Sequence, residues 1–260
     1  MLFRSTRLRA LAPRALPNGW PDLVRQVLIF AAAYYAYRLV RGAVDGHTTA
    51  AAFEHARDII GLERSLHLFV EPSVQAWGET KPWIIDFASW MYVNAHLPLM
   101  IGSLIWLYIF RNRSYYFIRN VFVISMGIAL VGYVVFPTAP PRLFPEWGFQ
   151  DSVSNFVGFN TDTASTTSSL VNPFAAVPSV HVCFALIIGI SMSRLVRPKW
   201  LRFAWSLYPL LMTFVVIVTA NHWWMDAVLG ALTALVAGTI AQALLARARP
   251  NKWAFAGARI

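Results

Sequence analysis

Asn221-His222-Trp223-Trp224-Met225-Asp226 opens an apolar run that extends to Leu245, long enough as a helix to cross a hydrocarbon core, which needs about 20 residues. His222 and Asp226 are four residues apart, so a helix places them on one face, where the carboxylate can orient the imidazole and stabilise its cation. A second stretch, Pro178-Ser179-Val180-His181, heads another apolar run. Ionisable groups at membrane-helix ends are costly unless paired or solvated, which makes them functional candidates. Together the two stretches predict a membrane bundle with two histidines and a carboxylate at one end.

Composition agrees with a membrane setting. With 57% apolar residues, 13% charged residues and 11 tryptophans, the 260-residue chain is too apolar and aromatic for a soluble domain. The expected class is all-α: a polytopic membrane protein whose residues 1–260 form a single integral membrane domain. A formal net charge of +10 raises nucleic acid as a partner. The basic residues, however, sit in short clusters beside apolar runs, the pattern of loops facing anionic lipid, so no nucleic-acid partner is expected. Cys183 is the single cysteine. It excludes an intrachain disulfide and a cysteine-rich metal site, and is expected to pack as a small apolar residue.

Six runs are long enough to span: Leu23 to Val40, Trp83 to Phe110, Phe117 to Phe136, Val180 to Val196, Phe203 to Thr219 and Trp223 to Leu245. The prediction is a six-transmembrane-helix bundle. Arg25 and Arg38 fall near the ends of the first run, where long stems can snorkel to the interface. That run has no small-residue cleavage site, and Arg38 and Arg41 lie at its far end, so it is expected to be a span rather than a cleaved signal. Basic clusters at 4–14, at Arg111, Arg113 and Arg119, at 194–202 and at 247–259 all fall on one side of a six-span layout. The opposite connections carry Arg57, Arg64, Lys81 and Arg142. By the positive-inside rule both termini are cytoplasmic, with residues 1–22 as a cytoplasmic tail, and His181 and His222 face outward.

The first outer connection, 42–82, shows helical patterning of Phe53, Ala56, Ile60, Leu62, Leu66, Phe69 and Val70, with Glu54, Arg57, Asp58, Glu63 and Arg64 between them and Pro72 as an interruption. It reads as an outer amphipathic segment in the headgroup region, serving either as a structural collar or as a gate for substrate. His47, His55 and His67 in it are expected to be solvated. The second connection opens with Pro137-Thr138-Ala139-Pro140-Pro141-Arg142 and later becomes a Ser/Thr-rich tract over 160–169. The prolines stiffen the element that presents Arg142, whereas the Ser/Thr tract cannot form a core. A guanidinium suits phosphate oxygens, although an arginine here could instead be snorkelling at the interface. Trp223 and Trp224, with Trp147 and Trp77, fit an outer aromatic belt, and Gly230 allows close helix approach.

Pro178-Ser179-x-His181 followed by His222-x-x-x-Asp226, after an outer arginine in a proline-rich turn, resembles the type 2 phosphatidic acid phosphatase superfamily of lipid phosphate phosphatases and phosphotransferases. These motifs define a catalytic region over 137–230. Several positions depart from the common pattern. Val135 stands where a lysine is usual, Leu143 replaces the proline after the arginine, Val180 replaces a glycine, and Val215 and Val216 replace Ser-Arg. Two of the usual phosphate-binding cations are thus absent. A bulky residue in Pro-Ser-x-His, Ala-Pro-Pro before the arginine and His-x-x-x-Asp without an upstream arginine resemble the inositol phosphorylceramide synthase-like branch, which transfers phosphorylated head groups between lipids.

Phosphoryl transfer needs an in-line nucleophile, charge stabilisation on the equatorial oxygens and a proton donor for the leaving group. By resemblance, His222 is the nucleophile and forms a phosphohistidine, Asp226 orients it, and His181 protonates the leaving group and then activates the acceptor. Arg142 would clamp the phosphoryl oxygens, assisted by the amides near Ser179 and Val180 at the start of the fourth span. Each histidine alone has a structural alternative, as an interface residue or a carbonyl-bonding cap. Zinc held by His181, His222 and Asp226 lacks a further ligand, so neither a metal nor a cofactor is expected. Tyr92, Asn94 and His96 form a polar trio within the second span. They are expected to face the bundle interior and bind the lipid head group, or else to make a structural hydrogen bond.

The resulting expectation is a membrane lipid phosphatase hydrolysing a lipid phosphate or diphosphate on the extracytoplasmic face of a bacterial plasma membrane. Its partner is a membrane lipid phosphate, with a lipid or sugar hydroxyl as acceptor if the enzyme is instead a phosphotransferase. A non-enzymatic lipid carrier or channel on the same bundle is the third reading.

Overall fold

The computed structural model describes residues 16–43, 49–158 and 174–247. The 160–169 tract, His47 and the basic clusters at 4–14 and 249–259 lie outside the described residues. Nine α-helices run through the described chain: α1 Gly19–Ala43, α2 Thr49–Ser65, α3 Glu71–Glu79, α4 Pro82–Phe110, α5 Asn112–Val135, α6 Ser152–Val157, α7 Val180–Leu195, α8 Lys199–Val218 and α9 Trp224–Ile240. A π-helical stretch, Ala241–Arg247, continues α9. The described residues form no strand, and Thr138 and Ala175 make one isolated bridge.

An apolar backbone in lipid must satisfy its own N–H and C=O groups, and helices do so within one segment. Among the described residues four helices are long and apolar enough to cross a membrane: α4, α5, α8 and Trp224–Leu244, which includes α9. They point to an integral membrane protein. α7 is equally apolar but has 16 residues, and the 25 residues of α1 include Asp22 and Arg25. The outward surfaces are themselves apolar: Leu97, Ile101 and Ile105 on α4, Val131, Val134 and Val135 on α5, and Leu232, Leu235 and Val236 on α9 are all exposed.

The core lies between α5, α7 and α9, where Tyr116, Phe122, Ile188 and Ala237 pack together. Small residues let the helices close up. Gly189 of α7 meets Pro209 and the Trp205 carbonyl of α8, and Gly230 of α9 meets the Ser179 carbonyl at the head of α7, which a Cβ at 230 would strike. Gly230→Ala is therefore expected to cost about 1–3 kcal/mol by overpacking and to push His181 away from His222. A lower unfolding midpoint in detergent, together with lower activity, is the readout.

α2 and α3 cover the end of the bundle where α9 begins. Ala52, Ala56, Ile59 and Ile60 of α2 are buried against Ala139, Phe144, Phe149 and Trp223, so this apolar face meets protein. Pro72 lies in the first turn of α3 and starts that helix, since its missing N–H is an orphan there in any case. Several residues depart from expectation. Trp223 is fully buried and donates Nε1–H to the Ala139 carbonyl at 2.9 Å, so it anchors the core and does not belong to an aromatic belt. His55 is half-buried: it stacks on Phe136 and donates to the Pro137 carbonyl at 2.7 Å. Arg119 is no loop residue; it is buried in α5, with Nη1 donating to Gln26 at 2.6 Å, and Gln26 in turn donates to Asp22.

Candidate active site

The turn between α8 and α9 sets the first part of the site. Ala220 N donates to Ile217 O and Asn221 N to Val216 O. These are the two closing bonds of a Schellman motif, with Ala220 at φ +53° where glycine is usual. An alanine in this left-handed conformation costs about 1 kcal/mol, held here by full burial of Ala220. The turn delivers Asn221 and His222 directly ahead of α9.

His222 and Asp226 meet as the i, i+4 spacing requires. Nδ1 of His222 lies 3.2 Å from Oδ2 of Asp226, with His222 4% and Asp226 0% exposed. The same Oδ2 accepts from Trp223 N at 2.9 Å, so Asp226 both caps its own helix and fixes the imidazole. With Nδ1–H donated to the carboxylate, Nε2 is the ring nitrogen left with its lone pair. The His181 ring, in the first turn of α7, is centred 5.8 Å from that of His222.

α7 is capped by Ser179, whose hydroxyl accepts from Val182 N at 3.4 Å, and Ser179 N donates to Asp226 O at 3.0 Å. Ser179 is therefore a tie between α7 and α9. Its own amide is committed to Asp226, so the anion-binding role expected of it is not available to that N–H. Val180, half-buried, takes up the first helical position.

Arg142 stands in a short 3-10 turn, Pro141–Leu143, that the rest of the site holds down. Arg142 N donates to Ala220 O at 2.9 Å and Nη1 to Asn221 Oδ1 at 3.0 Å, while Nε lies 3.7 Å from Asp151 Oδ2. Asp151 also caps α6, accepting from Ser154 N at 2.9 Å. The guanidinium is thus tied to the residue immediately before His222. Asn221 is itself fixed by donating to Thr219 Oγ1 at 2.9 Å. At the two positions where the resemblance implied cations, Val135 is exposed and Val216 is fully buried, so neither side chain adds a charge beside Arg142.

The polar trio of α4 divides. A π-helical turn, Met91–Ala95, interrupts the helix here, and such turns recur at functional sites. Tyr92 stacks on His181 with centroids 4.4 Å apart, and buried His96 lies 5.2 Å from the His181 ring and hydrogen-bonds the Tyr208 hydroxyl through Nδ1 at 2.8 Å. Asn94, two residues along from Tyr92, turns the other way and is exposed, contrary to the expectation that it faces the interior.

Sequence reasoning assigned no role to four groups that complete the arrangement: Asn221, Asp151, Glu63 and Glu71. Glu63 and Glu71 are fully buried, and their carboxyls accept from Met225 N at 2.8 Å and Trp224 N at 2.7 Å. A signal for Glu63 was present, because it continues the Ala52, Ala56, Ile59 stripe at helical spacing, an acid on an apolar face. Nothing local marked Glu71. Among the described residues no group of three or more His, Cys, Asp or Glu side chains is arranged to hold a metal ion.

No curated protein and no solved structure gives a significant match. Residues 57–240 match the family model described as the PAP2 superfamily, and that span includes every site residue from Glu63 to Asp226. Covering well over half of the sequence, the match suggests phosphatase or phosphotransferase chemistry, and the chain belongs to the PAP2 superfamily.

Proposed function

We propose that this protein is a lipid phosphatase that cleaves a lipid phosphate or diphosphate through a phosphohistidine on His222. The observation that carries the reading is the buried His222–Asp226 contact at 3.2 Å, with the His181 ring 5.8 Å away and Arg142 tied to Asn221 beside it. In this reading Nε2 of His222 attacks phosphorus, the bond to the lipid oxygen breaks, and that oxygen takes a proton from His181. Asp226 stabilises the phosphorylated imidazole. A water then gives a proton to His181 as its oxygen attacks phosphorus, the P–N bond breaks, and inorganic phosphate leaves with His222 restored. Arg142 holds the non-bridging oxygens throughout.

The same reading includes six spans, α1, α4, α5, α7, α8 and α9, as one membrane domain over 1–260. Cytoplasmic termini follow from the positive-inside pattern, and the site lies on the extracytoplasmic face of a bacterial plasma membrane. α7 at 16 residues is about 24 Å long, and Arg25 at the α1 interface is exposed as a snorkelling side chain would be. The aromatic side chains of Tyr92 and His96 line the His181 side and would contact the head group.

A second reading, transfer of a phosphorylated head group such as phosphoinositol to a lipid or sugar hydroxyl, is favoured by one observation. Val180, Val215 and Val216 replace residues usual in hydrolytic members of the superfamily, as in the inositol phosphorylceramide synthase-like branch. The two are separated by supplying purified protein with a panel of lipid phosphates, with and without a hydroxyl-bearing lipid. Free phosphate is the expected product; phosphate found on the acceptor alone would install the transferase reading. Activity is expected to be bell-shaped in pH, since His222 must be neutral while His181 is protonated. A profile flat between roughly pH 5 and 9 contradicts those roles.

A further inference from the structure

Three successive amides at the head of α9 are received by three carboxyls. Trp223 N donates to Asp226, Trp224 N to Glu71 and Met225 N to Glu63, at 2.9, 2.7 and 2.8 Å. A helix start leaves such donors orphaned, and anions there gain from the helix dipole. Two of the three carboxyls arrive from far along the chain, Glu63 from the last turn of α2 and Glu71 from the first of α3. Both are 0% exposed. Each keeps one oxygen, Glu63 Oε2 and Glu71 Oε2, buried with no hydrogen-bond donor among the described residues. Two ionised carboxylates so enclosed would repel strongly, whereas a proton on the Glu63 carboxyl, which is hydrogen-bonded to Glu71, supplies the missing donor.

We propose that Glu63 and Glu71 are positioning residues for His222: a carboxyl pair sharing one proton, which clamps the first turn of α9 so that His222 and Asp226 keep their geometry. The inference rests on His222 being the nucleophile. Burial first, and then the neighbouring charge of Glu71, raises the Glu63 carboxyl from 4.5 to about 9. The charged and titratable groups on the surrounding elements are Glu71 of α3 and Asp226 and His222 of α9. Arg64, next in α2, lays its guanidinium on Phe69 and Trp147 instead. The 137–151 segment contributes Arg142 and Asp151, which pair with each other. Because the folded chain keeps a proton that the unfolded chain releases, stability should fall as pH rises from 4.5 to about 9 and level off above. Loss of that proton loosens the head of α9.

The full-length protein tests this with Glu63→Gln, Glu63→Ala and Glu71→Ala, using whichever lipid phosphate the wild type hydrolyses fastest. Glutamine reproduces a protonated carboxyl, so Glu63→Gln is expected to keep kcat at the pH optimum within about 2-fold. Each alanine variant is expected to lower kcat at least ~10-fold with KM within about 2-fold, because the clamp acts on the nucleophile and not on substrate. Thermal unfolding against pH reads the shared proton without substrate: the wild-type decline with pH should be absent in Glu63→Gln. Alanine variants with wild-type kcat, or a Glu63→Gln variant with the wild-type pH dependence of unfolding, overturn the inference. Should the wild type hydrolyse no lipid phosphate, the phosphatase reading is what fails, and the unfolding profile together with amide exchange at Trp224 and Met225 still decides whether the pair clamps α9.

Discussion

Replacing His222 with alanine is expected to lower phosphate release at least ~10⁴-fold while the chain still folds, with an unfolding midpoint lowered by the loss of a buried side chain and of the partner of Asp226. The size follows from the role. A nucleophile that forms the covalent intermediate has no substitute in the site, since His181 lies on a different helix with its ring centred 5.8 Å away. The fold survives because the helix start is held separately by Trp223 N to Asp226, Trp224 N to Glu71 and Met225 N to Glu63, while His222 contributes a side-chain hydrogen bond to Asp226. Phosphate release and thermal unfolding of the same preparation separate loss of chemistry from loss of fold. Function largely intact in His222→Ala would move a non-enzymatic carrier or channel ahead.

Asp226→Asn should lower kcat by roughly 10³-fold while KM changes little, the pattern of an interaction made in the transition state. The substitution preserves shape and one acceptor oxygen but removes the charge that faces Nδ1–H and that, in the proposed mechanism, stabilises the phosphorylated imidazole. Stability should hold steady or rise, because Asp226 is a fully buried carboxylate whose Oδ1 has no partner among the described residues. An amide there no longer carries that desolvation cost. A fall in kcat together with a rise in unfolding temperature marks a residue selected for chemistry at the expense of packing.

What the sequence disclosed was governed by range. His222 and Asp226, four residues apart, needed one helix to meet, and Ser179 announced the start of α7 because a serine before an apolar run caps it. The helix limits of α5, α7, α8 and α9 fell within a few residues of the apolar runs for the same reason. Long-range backbone contacts left no such trace. Glu71 caps an amide 153 residues away, and Glu63 one 162 residues away, so their neighbours in sequence read as an amphipathic segment of the headgroup region. Trp223 looked like an interface residue because tryptophans at membrane-helix ends usually are. Its burial depends on the Ala139 carbonyl, in a segment whose approach to α9 no periodicity encodes. Asn94 does not share the interior face of the trio, because Tyr92 and His96 share a face by i, i+4 and Asn94 falls between them. Asn221 stood in the first stretch quoted, yet its use as the anchor for Arg142 emerges only when the 3-10 turn at Pro141–Leu143 is laid against the α8–α9 turn.

The central claim is a phosphate carried on His222, and the direct measurement is to quench purified protein during turnover of a phosphate-labelled lipid and look for label on the polypeptide. The account predicts an intermediate labile in acid and stable in alkali, as a phosphoramidate is, located on the peptide containing His222 and absent from His222→Ala. Turnover without any labelled protein, or the same label in His222→Ala, would contradict it.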